Sequence, residues 1–536
     1  MYYNIPSAKL KCRHCGSEIA PEDYGEKNDA EEQKDYEVTV YTCSNCGAEL
    51  ESPDDSIVSY CPYCGSEQVL EGRMGKALRP AEILPFTISK KKCQTKYEQA
   101  LKGLSYLPKE FKSPEYLEQF RGIYIPYWKY DVEVRGGFPV EITESSTHGD
   151  YTDTYVYEGL FVPPDDPLQV NVDASGAFDD SIADKIAPFV ETKTTDFRTG
   201  YLAGFYADRP NVDPHLYDET VMDKAFGALK EDISKAGVTK GGDDINIKEK
   251  TSISIRKCEE KLLPVWFLTW RKKNRVAYSI MNGTTGEMMA DLPVDTRKYF
   301  ISSLITAAVL FAVLAFLVSV TAPTALGFSV IMTLIVMLLF SSEMTQLRDR
   351  ENHVYDPAYN GAEKIMMPAE KIEQIRSAAS RSRARKKMSA KPFPGFMVSF
   401  GVYIVMMLVG SLVSVLTDFI PENTGSSTRY EGLLFVVFVS SVIAVVVLIR
   451  CIGKVRYIKE KGQGMVILLP FVSVWFALFV ALSQTVKDYY FYAASIACLA
   501  STVVLSVALI HCYNILVTRP LPNFFNREGG KNDAED

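Results

Sequence analysis

Six of the eleven cysteines stand in three Cys-x2-Cys pairs, Cys12/Cys15, Cys43/Cys46 and Cys61/Cys64, and these are the residues best placed to do chemistry. A thiolate is a soft metal ligand, and a Cys-x2-Cys turn aims two of them at one point. Cys43-x2-Cys46-x14-Cys61-x2-Cys64 therefore reads as the two knuckles of a zinc ribbon sharing one tetrahedral Zn2+, with Gly47 and Gly65 allowing the tight turns. Four protein ligands leave no position for water or substrate, so the expected role is structural, the metal supplying folding free energy to a small segment. Cys12/Cys15 is half of a further ribbon, because the acidic stretch from Glu22 to Asp35 holds no second knuckle. Its readings stay open: a vestige, a pair that recruits His14 or a cysteine of another chain, or a weak second metal site. Cys93, Cys258, Cys451, Cys498 and Cys512 are scattered and read as small buried hydrophobes.

Many ribbons bind nucleic acid, but here the charge opposes it. From Arg297 onward the chain has 23 Lys and Arg against 16 Asp and Glu; the first 296 residues have 35 against 50. Such an acidic field repels phosphate. Between Glu37 and Leu70 there are six acidic residues and no basic one, whereas phosphate contacts require Lys or Arg. Binding of protein, with no nucleic acid as partner, is the use expected of the ribbon, and Tyr63 is a candidate exposed anchor for it, packing of the knuckle being the other reading.

The second half is apolar. Six stretches are long enough to cross a hydrocarbon core of about 30 Å, at roughly 299–320, 324–342, 396–417, 432–451, 465–485 and 490–516. Pro323 breaks the first two into a hairpin. The segment 343–395 carries eleven basic residues, and the loop after the fourth stretch carries Lys454, Arg456, Lys459 and Lys461, so both are expected on the cytoplasmic side. The loops after the third and fifth stretches hold only Arg429 and Lys487 as basic residues and are expected outside. The first residues have no apolar signal region, so both termini are expected in the cytosol and the protein in the cytoplasmic membrane. No Asp, Glu, Lys or Arg lies in the middle of a span, unlike the usual pattern of ion-coupled transporters. His511 and Asn514, near the end of the last span, read as packing or snorkelling residues. Arg381, Arg383, Arg385, Lys386 and Lys387 follow an amphipathic helix starting at Pro368 and are candidate contacts for anionic lipid headgroups.

Between ribbon and membrane, Lys92 to Leu104 and Pro214 to Ala236 have helical periodicity. Gly137 to Thr143, Asp153 to Val162, Leu168 to Asp173 and Ile245 to Ile255 alternate as half-buried strands. Arg275 to Met281 and Glu287 to Asp291 flank Asn282-Gly283-Thr284-Thr285-Gly286 as a hairpin, Asn-Gly being the pair that accepts positive φ. Tyr124-Ile125-Pro126-Tyr127-Trp128 is echoed by Leu262-Leu263-Pro264-Val265-Trp266, which points to two related β-rich halves with Trp128 and Trp266 in the core. Pro126 and Pro264 are expected to start strands or lie at an edge, since proline cannot donate to a ladder. Asp179, Asp180 and Asp184 read as helix N-terminal charge before a cation site. No GxxxxGK[ST], HExxH or GxSxG motif is present, and His148 and His215 are the only histidines of this region, so no catalytic residue is assigned and no enzyme is expected.

The expected architecture is multidomain. Residues 1–36 form the half ribbon and acidic linker, 37–75 the zinc ribbon and 76–296 an α+β cytosolic domain. A transmembrane hairpin (297–343), a basic loop (344–395), a four-helix transmembrane region (396–517) and a cytosolic tail (518–536) complete an all-α, six-helix membrane part. Ordered blocks carry a further signal: Leu84-Pro85-Phe86, Leu107-Pro108-Lys109-Glu110-Phe111, Gly122 to Trp128, Val172-Asp173-Ala174-Ser175, Tyr201 to Phe205, Leu263 to Trp266, Met281-Asn282-Gly283 and Leu292-Pro293-Val294-Asp295. Together with Cys43 to Cys64 they resemble a bacterial family of membrane-anchored zinc-ribbon proteins, often labelled TFIIB-type zinc ribbon or, misleadingly, primosomal helicase-like. The chain departs from that pattern in keeping only Cys12 and Cys15 of the first ribbon and in having more than one hairpin of spans. The resemblance implies company with SPFH (flotillin-like) and phage-shock A-like proteins in envelope-stress or membrane-organising assemblies. The function expected is that of a scaffold or adaptor, with membrane lipids, cytosolic proteins and a second copy of the chain as partners. A transporter or membrane enzyme built on the helix bundle is the alternative, and a tethered nucleic-acid binder a lesser one.

Overall fold

The computed structural model describes residues 1–24, 35–52, 60–67, 71–148, 151–176, 185–186, 189, 193–240, 247, 249–317, 321–355, 365–383, 426–483 and 487–524. Strands β1 (Tyr2–Asn4), β2 (Lys9–Lys11) and β3 (Glu18–Ile19) form a small antiparallel sheet. Strands β4 (Asp35–Thr42), β5 (Glu49–Ser52) and β6 (Glu71–Leu78) make the ribbon, and β7 (Glu82–Ile83) leads into helix α1 (Lys90–Ala100), whose cap Ser89 accepts the Lys92 N–H. The long β8 (Arg121–Gly136) follows, then the hairpin β9 (Phe138–His148) and β10 (Tyr151–Phe161), and β11 (Leu168–Asp173). Short β12 (Thr195–Asp196) and β13 (Tyr206–Ala207) precede helix α2 (Asp218–Lys235), β14 (Val238–Lys240), the long β15 (Thr251–Lys272), β16 (Arg275–Asn282) and β17 (Met288–Ala290). The ribbon strands and the long strands share one sheet, in the order β12-β7-β15-β8-β13-β5-β4-β6 with β11 on β8 and β16 on β15.

The echo in the sequence is a duplication in space. Strands β8 and β15 pair antiparallel from Thr251↔Gly136 to Phe267↔Arg121, and Ile125 faces Leu263 in the middle of the two echoed blocks. A pseudo-twofold relation about that pair exchanges the halves. Tyr206 and Ala207 run parallel beside Ile123 and Tyr124, just as Glu82 and Ile83 run beside Lys261 and Leu262. The ladder of β11 ends at Asp173↔Tyr127 and that of β16 at Asn282↔Val265. The Trp128 indole donates to Val212 O at 2.9 Å, and Trp266 donates to Ile88 O at 2.7 Å. Each tryptophan thus anchors the other half's helix-entry loop, where Asp213 and Ser89 act as the caps. The hydrophobic cores follow: Tyr97 of α1 clusters with Phe111, Phe120 and Trp266, and Val221 of α2 with Tyr130, Val132 and Val172.

Two expectations give way here. Pro126 and Pro264 lie inside their strands, at neither a start nor an edge. Each sits where its flanking strand changes, from β13 to β11 beside Pro126 and from β7 to β16 beside Pro264, so no ladder donor is missed. Their carbonyls are used, by Ala174 N–H at 3.0 Å and Gly283 N–H at 2.8 Å. In the β16–β17 turn the left-handed residue is Gly286 (φ 75°), not the Asn-Gly pair. Gly283 is required for closeness instead, since a Cβ there would stand 2.7 Å from the Phe86 ring and 2.8 Å from Pro264 O.

Among the described residues, five helices are long and apolar enough to cross a membrane: Thr296–Val313 within α3 (Thr296–Leu317), α4 (Ala322–Glu351), Gly432–Val455 within α6 (Ser426–Val455), Lys461–Leu482 containing α7 (Leu468–Leu482), and α8 (Asp488–Val517). The amphipathic α5 (Ala369–Arg383) lies between the second and third of these and packs Ile372 against Val354 and Met367. The expected span at 396–417 lies outside the described residues. Helices α4, α6, α7 and α8 form a bundle whose interior hydroxyls bond across helices, Thr333 to Thr502 at 2.9 Å and Ser473 to Ser501 at 2.8 Å. Helix α3 stands clear of it, with none of its membrane window buried, so the two helices of the expected hairpin are not packed together.

The sheet domain grips both ends of the membrane part. At the start, Asp295 N–H donates to Tyr106 O at 2.7 Å and the Tyr106 hydroxyl meets Ser302 Oγ at 3.0 Å. At the end, the Asn514 amide brackets Val294, accepting its N–H at 2.8 Å and donating to its carbonyl at 3.0 Å. Arg275 donates to Ile515 O and Thr518 O, Arg519 pairs with Asp291, and β18 (Arg519–Pro520) joins β16. Asn514, read from sequence as packing or snorkelling, is a docking residue. Replacing either tryptophan with phenylalanine leaves a carbonyl without its donor. Trp266→Phe should cost about 1–3 kcal/mol in denaturant unfolding of the sheet domain, and Trp128→Phe, whose indole is only half buried, should cost less.

Candidate metal centre

The ribbon hairpin creates the site by backbone geometry. Cys43 N–H donates to Ala48 O at 2.9 Å and Gly47 N–H to Cys43 O at 2.7 Å; Cys61 repeats this with Ser66 O at 2.8 Å and Gly65 N–H at 2.9 Å. Both glycines are left-handed, with φ of 75° and 67°, where a side chain would be strained. The four sulfurs converge within 4.8 Å of one another, and Cys43···Cys64 and Cys46···Cys61 are both 3.7 Å apart. A tetrahedron with metal–sulfur bonds of about 2.3 Å has edges of roughly 3.8 Å, so the spacing fits a Zn2+-sized ion. All four cysteines are fully buried. Asn45 Nδ2 donates to Cys64 Sγ at 3.3 Å, and hydrogen bonds from the other three thiols draw Cys64 toward the thiolate. Cys46 and Cys61 are pushed the other way, first by their bonds with Cys43. A divalent ion would resolve that conflict by stabilising all four as thiolates.

The centre is welded into the sheet domain. Cys43, Cys46, Cys61 and Cys64 share a core with Ile125, Leu263, Phe267 and Tyr278, directly against the pseudo-twofold pair. Tyr60 donates to Thr269 O and Tyr278 to Tyr63 O, both at 2.8 Å, and the Thr269 hydroxyl donates to Pro62 O. Tyr63, expected as an exposed anchor, is 1% exposed and sits edge-on to Phe267 and Phe524, so packing of the knuckle is its role. Phe524 follows the last membrane helix, and its N–H donates to Cys46 O at 2.6 Å. The metal centre and the end of the membrane part are therefore in direct contact, which no spacing in the sequence announced.

Cys12/Cys15 is not brought to this cluster. It forms its own knuckle, with Cys12 N–H to Ser17 O at 2.9 Å, Gly16 N–H to Cys12 O at 3.1 Å and Gly16 at φ 73°. Cys15 is exposed, and the Ser17 hydroxyl at 3.0 Å lowers its thiol to about 7. Of the scattered cysteines, Cys93, Cys451, Cys498 and Cys512 are buried as read, whereas Cys258 is exposed on β15. Arg381 and Arg383 lie at the end of α5; Arg385, Lys386 and Lys387, like Asp179, Asp180 and Asp184, lie outside the described residues. A polar cleft of about 180 Å³ was not foreseen: Glu82 binds Lys129 at 2.6 Å and the buried Lys261 at 3.6 Å, beside Thr194 and Asp196. Its opposite charges neutralise one another in place.

No family model and no solved structure matches the chain. It is similar to a Bacillus subtilis (strain 168) protein named "Uncharacterized protein YdjG", 29% identical over 306 residues, which are 56% of this chain and 88% of that one. Asn45→Ala should keep the metal but weaken its binding about 10-fold or more in chelator competition, while Cys61→Ser should remove it. Co2+ bound in its place should show the intense visible bands of tetrahedral thiolate coordination.

Proposed function

We propose that the protein is a membrane-anchored scaffold of the zinc-ribbon type that its sequence blocks resemble, holding a rigid protein-binding platform at the cytoplasmic face. The observation that carries this reading is the tie of one sheet to the metal centre and to both ends of the membrane part, through Tyr106–Ser302, Asn514–Val294 and Phe524–Cys46. A domain fixed at so many points is suited to presenting surfaces. The metal is Zn2+ in a structural role. The hairpin β9–β10 offers a binding surface, with Tyr151, Tyr155 and Tyr157 exposed along it. The cytosolic partners are of the SPFH or phage-shock A-like kind, and lipid headgroups meet the basic residues after α5.

The membrane part has six spans in this reading. Helices α4 and α6 run parallel, with Gly327 near Leu433 at one end and Asn352 bonded to Tyr457 O at the other. Two parallel helices joined in sequence favour a further crossing between them, which supports the reading of 396–417 as the sixth. Both ends of the membrane part meet the sheet domain, which supports an even number of crossings, and the basic loops favour the cytoplasm for that side.

Reporter fusions should read cytoplasmic after Lys387 and external after Arg429; the same side for both would remove the sixth span. A photo-crosslinking residue at Tyr155, activated in intact membranes, should capture an SPFH-like or phage-shock A-like protein identified by mass spectrometry. The adduct should fall sharply in Cys43→Ser/Cys61→Ser at matched membrane abundance. Recovery of neither protein class, or equal capture by the metal-free variant, would contradict the scaffold reading.

A further inference from the structure

The Cys12/Cys15 knuckle is a folded and oriented half of a metal site. Its hairpin repeats the register of the complete ribbon: Lys11↔Glu18 and Leu10↔Ile19 stand to Cys12 as Thr42↔Glu49 and Tyr41↔Leu50 stand to Cys43. The backbone turn alone is not the signal. The β16–β17 connection uses the same pair of bonds, Asn282 N–H to Glu287 O and Gly286 N–H to Asn282 O, with Asn282 and Thr285 where the knuckles have cysteines. What distinguishes the first knuckle is that both positions hold thiols, with Ser17 bonded to Cys15 Sγ much as Asn45 is bonded to Cys64 Sγ.

The half-site is also held still and turned outward. Leu10 and Tyr3 are buried in the main core, Tyr3 N–H donates to Ala203 O at 2.8 Å, and the Tyr201 hydroxyl donates to Glu22 at 2.7 Å. Gly200 lies so close beneath Pro21 that a Cβ would stand 2.5 Å from its carbonyl oxygen. In contrast Arg13, His14, Cys15 and Gly16 are all exposed. Among the described residues the one group of three or more metal-type ligands is Cys43, Cys46, Cys61 and Cys64, so nothing in that part of the chain completes the first knuckle.

We infer that two copies of this chain join through Cys12 and Cys15 of each, four thiolates holding one shared Zn2+ on a twofold axis. Each copy supplies half of a tetrahedron, and a symmetric pair of identical knuckles closes it without further ligands. Charge favours this occupant. A zinc ion with four thiolates carries two net negative charges, and next to each Cys12/Cys15 pair Lys9, Lys11 and Arg13 outnumber Glu18, which pairs with Lys11 at 3.7 Å. Without the metal the same basic residues repel each other, so association is tied to zinc. The inference does not depend on the scaffold reading, and its test uses no cytosolic partner.

Full-length protein is purified in detergent under reducing conditions with zinc, its metal content measured by elemental mass spectrometry and its mass by native mass spectrometry. A dimer with about 1.5 zinc per chain is expected, falling to a monomer with about 1 in Cys12→Ser/Cys15→Ser, where the retained zinc reports an intact ribbon. His14→Ala should leave both values unchanged. A monomer with about 1 or about 2 zinc per chain would overturn the inference, the second placing the metal within one chain. A dimer that survives the double cysteine substitution would overturn it as well.

Discussion

The pairing of β8 with β15 is the constraint on which the other arrangements rest. It is the longest ladder among the described residues, and its centre at Ile125 and Leu263 is also the centre of the duplication. Because the two halves exchange their short strands, β7 lying on β15 and β13 on β8, neither half can complete its sheet alone. Two tryptophan hydrogen bonds, that of Trp266 buried and that of Trp128 half-buried, close the exchange, each worth about 1 kcal/mol and more when its loss orphans a buried carbonyl. Interlocking of this kind makes the domain cooperative, since opening one half exposes the core of the other.

The four-cysteine centre is built against that ladder and inherits its rigidity. A short ribbon segment would ordinarily be stabilised by its metal alone. Here Ile125 and Leu263 form part of the wall behind the sulfurs, and Thr269 on β15 holds the second knuckle by its carbonyl and hydroxyl oxygens. Phe524 ties in as well, its N–H bonded to Cys46 O and its ring edge-on to Tyr63. The four-cysteine centre thus lies between two parts of the chain far apart in sequence, the sheet domain and the segment that follows the last apolar helix. This explains why the centre is buried.

The convergence of the four cysteines was legible because spacing within a knuckle is a local property: two residues between cysteines and a glycine after the second fix the turn. Helices α1 and α2, the strands around Leu168 to Asp173 and Arg275 to Met281, and the paired Pro-x-Trp blocks were legible for the same reason. What escaped was set by partners distant in sequence. Pro126 and Pro264 are tolerated mid-strand only because a neighbouring strand changes beside each. Tyr63 is buried by a phenylalanine more than four hundred residues away. Asn514 has the composition of a helix-end polar residue, and only the position of Val294 gives it a role. Lys261 is buried next to Glu82, a residue far from it in sequence.

The central claim is that the metal centre couples the sheet domain to the end of the last membrane helix, and amide hydrogen exchange with and without a zinc chelator tests it most directly. Removing the metal should deprotect residues 43–52, 60–67 and 519–524 together while the β8 and β15 amides around Ile125 and Leu263 stay protected. Unchanged protection at 519–524 after loss of the metal would contradict the coupling.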